Sequence, residues 1–200
     1  MSISEVTLLR KRMVSVAREA GAGGLVVGHA GNLSVRLGDR VLITPHGVSL
    51  AHLKPEDILT IDLDGVTLAG TGTPSMDVGL HLSIYKNLNA SAIVHTHPLF
   101  TNALAIANLE IVPLTVETAL ILRNIPVVRQ TGLDLTGITS EILELLKKSD
   151  LIVMKHHGVI ALGDNLEDAL LLNQLIEENS KMMAIAKMFG SKDFSGILSG

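Results

Sequence analysis

Two histidines one residue apart, His95 and His97, end the run Ser91-Ala-Ile-Val and precede Pro98. A strand sends side chains i and i+2 to one face, so these two imidazoles project together and Thr96 projects away. A second pair, His156-His157 followed by Gly158, closes the apolar run Leu151-Ile-Val-Met. Two strands ending in imidazoles supply three nitrogens to one ion. Three protein ligands with one open position is the pattern of a catalytic zinc site. Periodicity does not choose between His156 and His157 as the third ligand. Asp77 is the carboxylate to watch: it sits near an expected helix N-terminus with His81 one turn later, as a general base, a fourth metal ligand or a plain N-terminal helix acid. Two turns, Gly31-Asn32 and Thr44-Pro-His-Gly47, together with Ser75, offer backbone and neutral side-chain donors of the kind that hold an anion.

Each of these residues needs an element to place it. Glu5 to Ala20 carries apolar residues at helical spacing and Gly21 ends it. Leu33 to Thr44 and Ile58 to Ala69 read as hairpins about Gly38-Asp39 and Asp64-Gly65. Pro74-Ser75 starts a helix with Asp77 in its first turn and Leu80, Ile84 and Leu88 behind it. Ala92 to His95 is a strand, and Pro98 opens a helix to about Ala107. Ile111 to Val116 is extended and Ile125 to Val128 is a short strand. Ile138 to Lys148 is an amphipathic helix. Leu151 to Lys155 and Val159 to Leu162 are strands flanking His156-His157-Gly158. Asn165 caps a long helix toward Phe189. Strands and helices mixed throughout indicate one α/β or α+β domain with helices on both faces of a sheet. The domain is expected to span residues 1–200, with weak patterning, and hence mobility, in the tail 190–200.

Composition narrows the function. Apolar residues are 47% of 200, and mean hydropathy is +0.42. No stretch approaches the ~18 to 20 apolar residues of a membrane span. The surplus is expected in a large core and in subunit interfaces, with the weakly charged stretch Ala169 to Ile176 as an interface face. Net charge is −4 with the signs interspersed, which argues against nucleic acid as a partner. There is no cysteine, so any metal must be held by histidine and carboxylate. The N-terminus has no signal-peptide pattern, and the expected location is the cytoplasm.

Taken in order, Gly31-Asn-Leu-Ser-Val-Arg36, Ile43-Thr-Pro-His-Gly47, Pro74-Ser-Met-Asp77 with His81 and Tyr85, His95-Thr-His-Pro98 and His156-His-Gly158 resemble the class II aldolase/adducin family. The likeness runs from about Glu5 to Phe189 and looks most like the short microbial type of L-fuculose-phosphate aldolase. It implies a three-layer αβα domain with a central mainly antiparallel or mixed sheet, assembled as a homotetramer with active sites at subunit boundaries. It implies Zn2+, one per subunit, on His95, His97 and His157, the family pattern favouring the second histidine of the later pair. It further implies a phosphate pocket of Asn32, Gly47 and Ser75, and Asp77 as the catalytic acid.

The chain departs from the pattern at several places. Position 77 is Asp where aldolases carry Glu; the epimerase branch also has Asp there, but its second catalytic Asp is missing near Thr118-Ala119. Met76 and His29 stand where Ser and Thr are usual. Tyr85 is the only tyrosine, so proton donation to the aldehyde oxygen falls to Glu117, His29 or water. The implied function is a zinc-dependent aldolase cleaving or forming a small phosphorylated sugar, a fuculose-1-phosphate-like ketose, through the enediolate of a dihydroxyacetone-phosphate-like donor. The alternatives are related enediolate chemistry (4-epimerisation, decarboxylation of a phosphorylated oxo acid, dehydration) and, less favoured because the histidines are retained, a non-catalytic adducin-like protein.

Overall fold

The computed structural model describes residues 3–129, 139–191 and 194. In chain order the elements are α1 (Ile3–Ala22), β1 (Asn32–Leu37), β2 (Arg40–Ile43), β3 (Leu59–Asp62), β4 (Thr67–Ala69), α2 (Val78–Asn87), β5 (Ala92–Thr96), α3 (Leu99–Ile106), α4 (Val116–Leu122), β6 (Val127–Arg129), α5 (Thr139–Leu146), β7 (Leu151–Lys155), β8 (Gly158–Gly163) and α6 (Leu166–Met188). The strands form one sheet in the order β4-β3-β2-β1-β5-β8-β7-β6. Every pairing is antiparallel except the parallel β6–β7 edge. The sheet is therefore mixed and mainly antiparallel, as the family resemblance implied.

The central strands are apolar on both faces because helices cover both faces. Along β5, Ile93 packs toward α2 and α5, whereas Ala92 and Val94 pack toward α1 and α6. Along β7, Ile152 and Met154 join the first cluster, and Leu151 and Val153 join a third beneath α3, α4 and α6. This two-residue alternation yields three layers. It also assigns a face to each functional position. His95 shares the α2 face with Ile93, and across β1 it pairs with Asn32, while Ser34 pairs with Ile93. Thr96 falls on the α6 face, where its hydroxyl donates to Asn173 Oδ1 at 2.5 Å.

The long helix α6 begins where Asn165 caps it, the side chain accepting from Asp168 N–H at 2.9 Å. Its apolar stretch is divided between the core of this chain and the surface, where Leu171 is exposed. Ala169, Leu170 and Ile176 are buried within this chain, and the same side carries buried Asn173, Glu177 and Ser180. Two details differ from the sequence reading. Helix α4 forms after Thr115, which caps it reciprocally with Thr118; it follows the segment Ile111 to Val116 read as extended and covers residues to which the sequence reading assigned no element. Helix α2 starts at Val78, so Asp77 is its N-cap residue rather than part of its first turn, and its side chain caps nothing. The expectation for the tail 190–200 falls mostly outside the described residues. No described helix is long and apolar enough to cross a membrane.

Two features of the core are costly enough to test. Gly158 opens β8 against the end of β5, and a Cβ built there would lie 2.2 Å from the Thr96 carbonyl oxygen and 2.9 Å from the His97 ring. Only glycine permits this approach. Beneath α2, Ser34 Oγ sits 2.7 Å from both His81 Nδ1 and Tyr85 OH. Both aromatic side chains are essentially inaccessible. Burial pushes His81 down to about 4 and raises the Tyr85 phenol.

We expect Gly158→Ala to destabilise the fold by about 1–3 kcal/mol through overpacking at the β5–β8 junction; urea denaturation measures it, and an unchanged midpoint would show that the junction has room. The His81 shift sets the sign of a pH effect. The imidazole is neutral in the fold and titrates near 6.5 when unfolded, so between pH 6.5 and 4 the unfolded chain binds more protons. Stability of the metal-free protein should fall as pH drops through that window, by on the order of 3 kcal/mol from this ring, and level off below it. His81→Gln should reduce the slope, leaving the part that the buried imidazoles of His95, His97 and His157 contribute. A denaturation midpoint independent of pH from 7 to 4.5 would contradict the assignment.

Candidate active site and metal centre

The site forms where β5, β1 and the β7–β8 turn end at the same edge of the sheet. His95 is the fourth residue of β5, and His97 lies just past its end. The His97 main-chain N–H donates to Leu25 O at 2.9 Å, which ties this end to the segment after α1. His157 occupies the turn from β7 to β8, and its N–H returns to Met154 O at 3.0 Å. The preceding His156 takes a left-handed conformation, φ 71°, with an exposed side chain. The triad is therefore His95, His97 and His157, and His156 stands outside it. At Gly31, φ 78°, a Cβ would come 2.8 Å from the His95 carbonyl oxygen, so the entry to β1 is pressed against the ligand strand.

The three rings meet edge to face, with centroids 4.7, 4.7 and 5.0 Å apart. His95 Nε2 lies 2.9 Å from His97 Nε2 and 3.2 Å from His157 Nε2. Two nitrogens bound at the usual zinc distance in a tetrahedral site stand about 3.3 Å apart, so these separations fit a shared small cation. The tautomer of His95 fits too. Its Nδ1 is 2.8 Å from the Val159 carbonyl oxygen and must donate there, which leaves a lone pair on Nε2. Burial lowers all three imidazoles, with the neighbouring His157 adding to the effect on His95 and His97; His97 falls to about 4 and His95 well below its usual range. The rings are neutral at neutral pH, the form in which an imidazole can ligate a metal.

Asp77 faces this cluster. Its Oδ2 is 3.6 Å from His95 Nε2 and accepts from Asn32 Nδ2 at 2.6 Å. Burial alone would raise the carboxyl, but the His95 imidazole and the Asn32 hydrogen bond outweigh it and hold Asp77 below the ordinary carboxylate range. Asn32 is thus committed through one amide hydrogen to Asp77. Ser75 is brought alongside: its hydroxyl accepts from Asp77 N–H at 3.3 Å, and its own N–H donates to Thr44 O at 3.2 Å. Thr44 in turn pairs with Leu33 through both its N–H and its hydroxyl. Gly47, φ 75°, is exposed at the tip of the loop that His46 N–H fastens to Thr73 O. So Asn32, Ser75, Asp77 and the triad form one linked set with the Gly47 loop beside it. His29, in an exposed turn before β1, and Glu117, exposed in the first turn of α4, stand outside that hydrogen-bonded set.

Sequence reasoning missed the residues that hold the histidine-bearing segments from behind. Pro98 is the N-cap of α3 and has no side-chain donor or acceptor to offer. Glu177, on α6, caps that helix from across the layer, accepting from Phe100 N–H, Thr101 N–H and the Thr101 hydroxyl at 3.1, 2.9 and 2.9 Å. Asn102 Nδ2 donates to the His157 carbonyl at 3.2 Å. The only signal in the sequence was the spacing of Asn173, Glu177 and Ser180, which places them on the side of α6 that carries Ala169, Leu170 and Ile176.

Comparison with known proteins matches this architecture. The residue pattern of the family "Class II Aldolase and Adducin N-terminal domain" matches residues 11–184. L-fuculose phosphate aldolase of Methanocaldococcus jannaschii is 36% identical over 174 residues, covering 86% of this chain and 94% of that protein. The 3-oxo-tetronate 4-phosphate decarboxylase of Haemophilus influenzae is 34% identical, covering 86% and 85%. The crystal structure of L-fuculose-1-phosphate aldolase from Thermus thermophilus superposes with a TM-score of 0.83 at 28% identity, over 92% of this chain and 97% of that one. With the family's pattern spanning most of the chain and the three-layer fold in common, this protein belongs to the class II aldolase and adducin N-terminal domain family and is an enzyme of its aldolase kind.

Proposed function

We propose that this protein is a zinc-dependent aldolase that cleaves or forms a small phosphorylated ketose of the fuculose 1-phosphate type. The observation that carries the reading is the convergence of three neutral imidazole nitrogens beside an ionised carboxylate, Asp77, that Asn32 holds in place. His95, His97 and His157 are the ligands; with no cysteine in the chain, the donor set is the all-nitrogen kind that suits zinc with an open position. When bound, the cation supplies Lewis-acid polarisation of the substrate's oxygens. Asp77 moves the proton between oxygen and carbon of the donor half. The remaining Asn32 amide hydrogen, the Gly47 main chain and the Ser75 hydroxyl hold the phosphate. The two phosphate-sugar relatives support a phosphorylated substrate.

A second reading has its own observation. The one tyrosine is buried with its hydroxyl on Ser34, so this chain brings no phenol to the reacting atoms. The aldehyde oxygen then exchanges its proton with His29, Glu117 or water. Decarboxylation of a phosphorylated 3-oxo acid needs no such acid, because carbon dioxide leaves and the carbanion takes its proton at carbon from water, relayed through Asp77, which ends ionised as it began. The decarboxylase relative supports that chemistry on the same site.

The working assembly we propose is a cytoplasmic homotetramer. Exposed apolar side chains at Val116 and Leu120 on α4, and at Leu99 beside the site, support buried contacts between subunits.

The zinc-loaded protein should release an aldehyde from fuculose 1-phosphate or a close pentulose analogue; carbon dioxide release from a phosphorylated 3-oxo acid with no aldehyde release would favour the second reading. Asp77→Asn should retain one zinc per chain and lose about 10²–10⁴-fold in turnover. Full turnover with full metal would return Asp77 to a purely structural N-cap. Light scattering at micromolar concentration should give four chains, and a monomer would overturn the assembly.

A further inference from the structure

Among the described residues, four buried side-chain atoms have no hydrogen-bond partner: Asn32 Oδ1, His81 Nε2, Asn102 Oδ1 and His157 Nδ1. A buried polar atom without a partner is costly, and each needs a reason. The last two belong to residues already joined, because Asn102 Nδ2 donates to the His157 main-chain carbonyl at 3.2 Å. That bond also fixes which end of the amide is nitrogen, since the reversed amide would set two oxygens against each other. Asn102 is itself held on the first turn of α3 by its N–H to Pro98 O at 3.1 Å. Its Oδ1 is thus an acceptor without a donor.

His157 carries the complementary need. A ring whose Nε2 lone pair serves a cation has its proton on Nδ1, so Nδ1 becomes a donor without an acceptor. The companion ligand shows how the need is met elsewhere in the site: His95 Nδ1 donates to the Val159 carbonyl at 2.8 Å. Among the described residues, no main-chain carbonyl does the same for His157. Metal-bound histidines almost always pass their second N–H to an acceptor, which sets the ring's orientation and raises its basicity.

We propose that Asn102 is the positioning residue of His157: its Oδ1 accepts the Nδ1–H, directly or through one water, and aims Nε2 at the centre of the triad. One amide therefore fixes both the main chain and the ring of the third ligand. The inference rests on the reading that the triad holds a divalent cation, and it concerns metal affinity, not proton transfer.

The test measures zinc affinity of the full chain by competition with a chromophoric chelator, together with the imidazole N–H resonances of the zinc-loaded protein. Wild type should bind one zinc and His97→Ala should not; failure of wild type to bind zinc would remove the cation reading and this inference with it. Given that binding, Asn102→Ala should weaken zinc about 10–100-fold and lose the His157 Nδ1–H resonance while keeping that of His95. Asn102→Gln retains both an N–H donor and an acceptor and should recover most of the affinity, which also covers the case in which the alanine variant folds poorly. Unchanged affinity in Asn102→Ala, or a glutamine variant as weak as the alanine one, would overturn the role of Asn102 and leave the cation reading standing.

Discussion

The register of β5 between β1 and β8 is the constraint on which the site depends. His95 stands opposite Asn32 on one side and Ile160 on the other. This pairing puts His95 on the α2 face with Asn32, and Asn32 on Asp77. It also puts Val159 O within reach of His95 Nδ1. A slip of one residue would exchange His95 for Thr96 and turn the β5 histidine to the α6 side, away from His157. The register is protected by apolar alternation, since Ile93 belongs to one core cluster and Ala92 and Val94 to another. It is protected again by close backbone approach at Gly31 and Gly158, where a side chain would strike the main chain of His95 or Thr96. Packing of the core and aim of the imidazoles are therefore one condition rather than two.

The polar groups buried around that register divide into two sets with different tasks. On the α6 face, Asn173, Glu177 and Ser180 bind the Thr96 to Thr101 segment. A carboxylate at 3% exposure is unusual, and Glu177 is tolerated because three donors converge on it. On the α2 face, Asn32, Ser34, His81 and Asp77 are joined more loosely, with unpartnered atoms on Asn32 and His81. The first set is fully satisfied and rigid, which suits a scaffold that must hold ligands in place. The second keeps spare hydrogen-bonding capacity next to the carboxylate, where a reacting group has to be received.

The sequence made the sheet and the two histidine pairs readable for a physical reason, whereas the choice of His157 over His156 came from the family resemblance. Strand alternation in Ala92 to His95, a His-x-His pair and a His-His-Gly turn are local signals, and local signals survive in one dimension. The helices α1, α3 and α6 were readable from spacing and caps. What escaped depended on distant partners. Helix α4 is short, and its cap is a reciprocal Thr115–Thr118 pair rather than a Ser/Asp–Glu pattern. That β5 and β8 cover part of the apolar stretch of α6 is likewise not visible in the sequence. Asp77 was placed in the first turn of α2, whereas its side chain leaves the helix to meet Asn32, 45 residues earlier. Asn102 and Glu177 carried no signal of their own, since their partners lie 55 and about 76 residues away along the chain.

The central claim is that three imidazoles brought together by this register hold one divalent cation next to Asp77. X-ray diffraction from crystals of the zinc-loaded protein, collected on both sides of the zinc absorption edge, tests it most directly. The account predicts one anomalous peak per chain, within about 2.0–2.1 Å of the Nε2 atoms of His95, His97 and His157. A peak on His156, or no peak among the three rings at full zinc occupancy of the sample, would contradict it.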